Sequence, residues 1–406
     1  MDKIRVLFPF VEAGFGHIMP MKSIIGTFEK KYGDKVEVIP SAFFTESGDR
    51  HLKRYERMLA RQVRTYNRFP AIGYLATFFC EIFGPVLASF GSMRLIAPVA
   101  YRRSVAHMRE LYPDVVFSTH WATNYYAEHL KEKPLTVMYC PDAQHYALFS
   151  YRSDLNMISM PSGYRKALKK KQYTPDNMKL VPFLIRNEAF AVSKDKRAAR
   201  AALGLPEDQF TVLLVEGGYG IGKTEAICKL LAKERFPLTV IPVCGRNEAL
   251  YRRLCALETT EEITLRPYAF TDDMFRLEAA ADLFCGKSGN ILAEATFFGN
   301  PSIVTNCSNM TEQNIADHYI RTVGCAMKEF SPRKTVELIK TFAGDPAALL
   351  PYREAAGAYR GHFGSEQAAD ELWNKIAETF PELCRTEAAA TTDREDSKSL
   401  ELQYVP

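Results

Sequence analysis

Three short stretches hold residue types whose spacing could do chemistry. The first is Glu12–His17 (EAGFGH), which follows the apolar run Ile4–Phe10 and leads into a helical pattern. Gly14 and Gly16 allow a tight turn at a helix N-terminus. His17 is thereby presented at the carboxyl edge of a sheet, where open α/β sheets bind their ligands. The full dinucleotide fingerprint is missing, because Met19 stands where a third glycine belongs and the second strand ends in Ile39-Pro40 without a ribose-binding acid. That argues against a nicotinamide or flavin site.

The second stretch is Asp282–Thr305 (DLFCGKSGNILAEATFFGNPSIVT), which reads as strand, glycine turn, helix, Gly-Asn-Pro and strand. Ser288 and Gly289 would open the helix and offer backbone N–H groups to a phosphate. Glu294, in the next turns, carries a carboxylate able to accept two ribose hydroxyl protons. Thr311–Asn314 (TEQN) follows, with polar groups suited to binding hydroxyls. The third stretch, Gly217–Thr224 (GGYGIGKT), matches the G-x-x-x-x-G-K-T phosphate loop, with a strand before it and a helix after. An ATPase or kinase is therefore a live alternative. Such an enzyme also needs a magnesium-binding acid at the end of another apolar strand, and the second half of the chain shows no clear run of that kind.

The elements that must position these residues alternate between short β-branched runs and amphipathic helical patterns. Strand candidates are Ile4–Phe10, Val36–Ile39, Val115–Ser118, Leu135–Tyr139 and Met157–Met160, a series that ends near Val181–Leu184. A second series comprises Thr211–Glu216, Leu238–Val243, Ile263–Leu265, Leu283–Cys285 and Ser302–Thr305. Repeated βαβ units with parallel sheets give an α/β fold of two doubly wound domains. We place them at residues 1–190 and 191–350, with a linker near residues 186–208. Helices over residues 351–385 follow, one from the Asp345-Pro346 cap to about Phe363 and one at Glu366–Phe380, packing back across both domains. Residues 386–406 read as a disordered polar tail.

The 406 residues are 47% hydrophobic and 25% charged, which excludes a disordered or fibrous protein. No stretch reaches the roughly 18 uninterrupted apolar residues of a spanning helix, and the N-terminus does not read as a signal peptide. Nine cysteines without a C-x-x-C pair fit reduced thiols in the cytosol. No His/Cys cluster has metal-ligand spacing. Charge is uneven. Residues 1–190 hold 27 Lys+Arg against 17 Asp+Glu, a net of +10, while the remainder nets −6. Arg50, Arg54, Arg57, Arg61, Arg64 and Arg68 fall on one side of a helix, with Leu52, Tyr55, Leu59, Val63 and Tyr66 opposite. The apolar, Gly/Pro-broken stretch Phe69–Phe90 comes next. A basic amphipathic helix beside such a segment reads as an element that meets an anionic membrane surface. A second basic cluster, Arg165–Lys171, reads as a solvated helix face.

The order AGFGH, EGGYG, CGRN, KSGNILAEA with GNP, then EQN resembles the GT-B glycosyltransferases over roughly residues 1–380. Within that group it is most similar to the monogalactosyldiacylglycerol synthases, the processive diacylglycerol glucosyltransferases and the peptidoglycan enzyme MurG. The block Pro141–His145 favours the lipid synthases. The resemblance implies two Rossmann-like domains facing a cleft. It implies a UDP-sugar donor, a lipid acceptor such as diacylglycerol or a glycosyldiacylglycerol, and no nucleic acid. The alternative acceptor is a wall precursor or soluble natural product. Gly16, Gly218 and Gly220 would approach the donor, with Arg246, Asn247 and Phe270 near the nucleotide. Lys287, Ser288, Gly289 and Asn290 would bind phosphate, Glu294 the ribose, and Glu312, Gln313 and Asn314 the sugar. His17 or Asp142 would be the base, with His145 shaping the same cleft. Neither cofactor nor metal is required, the anomeric centre is expected to invert, and the enzyme would sit on the inner face of the cell membrane.

Overall fold

Strands that are apolar on both faces suit a parallel sheet covered by helices on either side. The computed structural model describes residues 3–12, 15–89, 94, 97–141 and 153–382, and it contains two six-stranded, wholly parallel sheets. In the first, β1 (Ile4–Phe10), β2 (Val36–Ala42), β3 (Val115–Ser118), β4 (Leu135–Cys140), β5 (Leu155–Ile158) and β6 (Met178–Leu180) lie in the order β2-β1-β3-β4-β5-β6. In the second, β7 (Thr211–Val215), β8 (Leu238–Val243), β9 (Ile263–Leu265), β10 (Leu283–Lys287), β11 (Ser302–Asn306) and β12 (Ala326–Lys328) lie in the order β12-β11-β10-β7-β8-β9. β3, β4, β7 and β8 are buried along their whole length.

Both orders reverse. The chain runs from β1 to β2 and returns to the far side of β1 for β3; likewise it runs from β7 out to β9 and returns to the far side of β7 for β10. Each reversal leaves a crevice beyond the carboxyl ends of the two central strands, the place where doubly wound sheets hold ligands. The fold is GT-B, two such domains facing one cleft.

Helices cover both sheets. Met21, Ile24 and Phe28 of the helix Phe15–Tyr32 share a buried cluster with Val6, Phe8 and Tyr139. The chain then crosses back from the second sheet. Phe363 pairs with Phe183 in a parallel bridge. The helix Glu366–Thr379 ends on the first domain, where Leu372 and Ile376 are fully buried, Trp373 stacks on Tyr32 at 4.9 Å and Asp370 pairs with Lys31. Two such buried side chains contribute roughly 4 kcal/mol, enough to hold the last helix on a domain remote in sequence.

Three expectations change. The helix foreseen from Asp345 to about Phe363 is divided into 3₁₀ turns at Pro346–Leu349 and Tyr359–His362 around an α-helix at Leu350–Ala358. Pro351 restarts it, having no N–H to continue the preceding turn. The stretch read as broken after Phe69 is one continuous helix, Pro70–Ser89, with Pro70 at its first position where a missing N–H costs nothing. The edge strand β12 went unforeseen, since Ala326-Met327-Lys328 has none of the β-branched residues that mark Ile263–Leu265. The tail 386–406 lies outside the described residues.

Candidate functional site between the two sheets

His17 stands in the first turn of the helix that follows β1. Its Nδ1 lies 2.7 Å from the Thr119 carbonyl, and the Thr119 hydroxyl donates to the His17 carbonyl at 2.8 Å. Thr119 directly follows β3, so this pair of bonds closes the first reversal point. The carbonyl fixes the proton on Nδ1 and makes Nε2 the basic nitrogen. Burial lowers the His17 pKa, with the Thr119 carbonyl opposing, so the ring is neutral and able to take a proton. His120 meets it edge-on at 4.9 Å between centroids. Burial, and then the neighbouring His17, hold His120 well below its usual pKa. Asp142 and His145 lie outside the described residues.

The second reversal point faces the first. Asn290 Nδ2 donates to the Gly16 carbonyl at 2.8 Å, so the helix Asn290–Phe297 starts against the turn that carries His17. Gly289 has a φ of +139° that favours glycine, and a methyl group there would meet nothing. The first amides of that helix have no acceptor within it. Ser288 departs from expectation, because its N–H is donated to the Asn306 carbonyl at 3.1 Å while its hydroxyl is buried without a protein partner. The hydroxyl, rather than the amide, is what a ligand would find.

Lys287 is turned toward the next loop. Its Nζ forms an ion pair with Glu312 Oε1 at 2.7 Å and donates to Asn67 Oδ1. Glu312 Oε2 accepts from the Ser308 N–H at 2.6 Å. Gln313 Nε2 donates to Asp317 Oδ1 at 2.8 Å, and Asn314 is half-buried on the same helix, Met310–Asp317. Lys287 is thus held by the Glu312 loop and by Asn67 of the first domain.

Glu294 is half-buried, and burial pushes its carboxyl up to about 7 against the pull of Arg186. Beside it Glu278 is wholly buried, both carboxyl oxygens lack a protein partner, and burial holds its carboxyl well above the usual carboxylate range with Glu294 adding to the rise. Arg186 lies 4.4 Å over the Phe275 ring. Two carboxyls beside one guanidinium are short of donors, and a pair of ribose hydroxyls would supply them.

The Gly217–Gly222 turn is packed on itself. A methyl on Gly220 would fall 2.1 Å from the Cys244 carbonyl oxygen, and one on Gly245 would fall 2.4 Å from that of Gly218. Asn247 ties the two loops together, donating from Nδ2 to the Gly220 carbonyl at 3.1 Å and accepting at Oδ1 from the Leu250 N–H at 3.0 Å. Arg246 donates its N–H to the Gly218 carbonyl at 2.9 Å. Its exposed guanidinium sits 5.8 Å from the Phe270 ring, 49% exposed, which makes an open cation–aromatic pair at the rim. Lys223 Nζ is held by the Thr305 carbonyl at 2.8 Å and by the Phe330 carbonyl. The buried Glu216 carboxyl accepts from the Lys223 N–H at 3.1 Å and lies where a methyl on Gly222 would meet it at 2.3 Å. In a phosphate loop the anion would occupy that space, so the geometry disfavours an ATPase or kinase.

The helix Arg50–Arg68 has the foreseen bounds, with all six stripe arginines exposed and Leu52, Tyr55 and Leu59 buried opposite. Arg64 lies 5.9 Å over the Tyr219 ring, so that end of the stripe faces the second domain. Next to it, Ile72, Leu75, Phe78, Phe79, Ile82 and Phe83 are exposed along one helix. An open groove of about 810 Å³ runs between Arg54, Arg57 and Arg61 on one side and Pro98–Ala100 on the other. Among the described residues no helix is long and apolar enough to cross a membrane, and no group of three or more His, Cys, Asp or Glu could hold a metal ion. Thr119, His120, Arg186, Glu216 and Glu278 escaped the sequence reading. Thr119-His120 could have been found as the polar pair that ends the apolar run Val115–Ser118; the others carry no local signal.

No protein-family model matches the chain. It is 23% identical over 364 residues to the probable chloroplastic monogalactosyldiacylglycerol synthase of Nicotiana tabacum, which covers 84% of this chain and 64% of that protein. The chain thus spans less than two thirds of that relative's length. It is 27% identical over 155 residues to the processive diacylglycerol beta-glucosyltransferase of Bacillus pumilus, which covers 38% of this chain and 40% of the relative. Among solved structures it superposes on MnaA with UDP from S. aureus with a TM-score of 0.60 at 13% identity, over 94% of this chain and 97% of that one. It superposes on MurG of Acinetobacter baumannii with a TM-score of 0.56 at 15% identity, over 92% and 100%. The chain resembles galactolipid and glucolipid synthases in sequence and GT-B proteins in fold.

Proposed function

We propose that the chain is a UDP-sugar-dependent glycosyltransferase that moves a hexose to the hydroxyl of a membrane lipid, diacylglycerol or a glycosyldiacylglycerol. The observation that carries the reading is the meeting of the two reversal points, where Asn290 of the second sheet bonds to the Gly16 carbonyl beside His17 of the first. A donor bound at one carboxyl edge and an acceptor at the other would react across that contact.

In this reading Glu294, with Glu278 behind it, takes the ribose hydroxyls, and Phe270 and Arg246 flank the base. The first turn of the helix Asn290–Phe297 and the Ser288 hydroxyl take the diphosphate. The acceptor hydroxyl gives its proton to His17 Nε2 as its oxygen bonds to the anomeric carbon. The bond from that carbon to the diphosphate breaks, and UDP leaves with the electron pair. The helix dipole and its free amides meet the charge that develops, so the step needs no metal. Attack opposite the leaving group inverts the anomeric centre. The exposed apolar face Ile72–Phe83 beside the arginine stripe suits docking on an anionic membrane surface from the cytoplasmic side.

The test is a thermal-shift screen against UDP, UDP-glucose, UDP-galactose, UDP-N-acetylglucosamine and ATP, then transfer of labelled hexose to diacylglycerol in anionic vesicles. Stabilisation by UDP compounds with formation of labelled glycolipid is expected. Stabilisation by ATP with magnesium alone, or transfer only to a soluble acceptor, would overturn the reading.

A further inference from the structure

The loop that carries Glu312 and Gln313 belongs to the second domain but rests on the first. The helix Arg50–Arg68 turns at Phe69 into the helix Pro70–Ser89, and this corner packs on the segment Cys307–Gln313. Gly73 is buried there, and a methyl group on it would come 2.1 Å from the Ser308 carbonyl oxygen. Close backbone approach is what the glycine permits. Thr77 Oγ1 accepts from the Met310 N–H at 3.2 Å, and Tyr74 OH donates to Gln313 Oε1 at 3.4 Å. Asn67 Oδ1 accepts from Lys287 Nζ, which in turn pairs with Glu312.

These bonds are not idle surface contacts. Lys287 is 9% exposed, and an ammonium that deeply placed needs both a counter-charge and hydrogen-bond acceptors. Glu312 supplies the charge and Asn67 an acceptor. Burial pushes the Tyr74 phenol up to about 12, so it remains an O–H donor at neutral pH. By contrast, the groups assigned above to the nucleotide, Glu294, Ser288, Phe270 and Arg246, all belong to the second domain.

We propose that Asn67 and Tyr74 are positioning residues for the sugar half of the donor. Acting through Lys287 and Gln313, they hold the Glu312–Asn314 loop in the geometry that meets the hexose hydroxyls and leave the nucleotide half alone. The domain that receives the acceptor thereby also helps hold the donor sugar. The inference rests on the reading that the Glu312–Asn314 loop faces the hexose.

Calorimetric titration of the whole chain with UDP and with UDP-hexose tests it. Asn67→Ala and Tyr74→Phe should leave the UDP affinity within about twofold of wild type but weaken UDP-hexose about fivefold, the effect of one net hydrogen bond. Asn67→Asp, which keeps an oxygen for Lys287, should restore UDP-hexose binding. Gly73→Ala, which pushes the corner off Ser308 without deleting a polar group, should reproduce the loss. Equal weakening of both ligands, or of neither, in the two polar variants would overturn the inference while the donor site stands. If the wild-type chain binds no UDP at all, the donor site itself falls and the inference with it.

Discussion

The turn at Gly16 is open and the turn at Gly217–Gly222 is filled. A methyl group on Gly16 would meet nothing, and its carbonyl is held by Asn290 of the other domain. In the second turn the missing side chains make room for the protein's own backbone, with the Cys244 carbonyl against Gly220 and the Gly218 carbonyl against Gly245. The Glu216 carboxyl fills what a phosphate would need. Glycines after a strand therefore leave space, and whether a neighbouring loop fills it, as at Gly220, or it stays open, as at Gly16, is decided by residues far away in sequence.

The comparison breaks most visibly on catalysis. His17→Ala should lower kcat by about 10²–10⁴, the scale of losing a general base, with only a modest fall in Tm from the lost Thr119 contact. Lys223→Ala, in the filled turn, should cost stability through its two lost carbonyl contacts while the residual enzyme keeps its kcat. Equal losses of kcat in both variants would mean that the filled turn is catalytic after all.

Stability should separate the turns in sign. Gly220 has a φ of +56° as well as its contact with Cys244, so Gly220→Ala should cost about 3 kcal/mol in denaturant unfolding. Gly16 lies in a helix with space around it, so Gly16→Ala should be neutral or stabilise by about 0.5–1 kcal/mol while lowering activity. Destabilisation of similar size at both positions would erase the distinction.

The same contrast explains what was legible in the sequence. Val115–Ser118 and Leu238–Val243 have the foreseen bounds, because buried parallel strands are continuous apolar runs between polar turns. The arginine helix was legible for the same reason, its period being local. The position of His17 at a strand end was legible, but the carbonyl that sets its tautomer was not, since Thr119 comes from another strand. The spacing that puts Asn247 near a nucleotide does not show that its side chain also caps a helix and ties two loops together. Arg64 read as part of a membrane face and points across the cleft to Tyr219. Pairings between domains depend on how two separately legible sheets meet, and no spacing records that.

The smallest effect sharpens the donor side. Burial raises Glu294 from 4.5 to about 7, so the fold prefers its neutral form. The stability this contributes is fully present below about 4.5 and is lost as pH rises through about 7. Ribose hydroxyls donate to a carboxylate, so UDP should prefer the ionised form, and its affinity should rise across the same interval by at most about tenfold per pH unit. Stability and affinity should then run in opposite directions with pH. Burial raises Glu278 as well, which adds to the first trend, and Arg186 opposes both shifts. Glu294→Gln should weaken UDP and flatten its pH profile, read by calorimetry between pH 5 and 8, while leaving Arg246 and Phe270 to hold the base. A profile that stays steep in Glu294→Gln would assign the proton to another group such as Glu278, and unweakened UDP binding in that variant would remove Glu294 from the ribose.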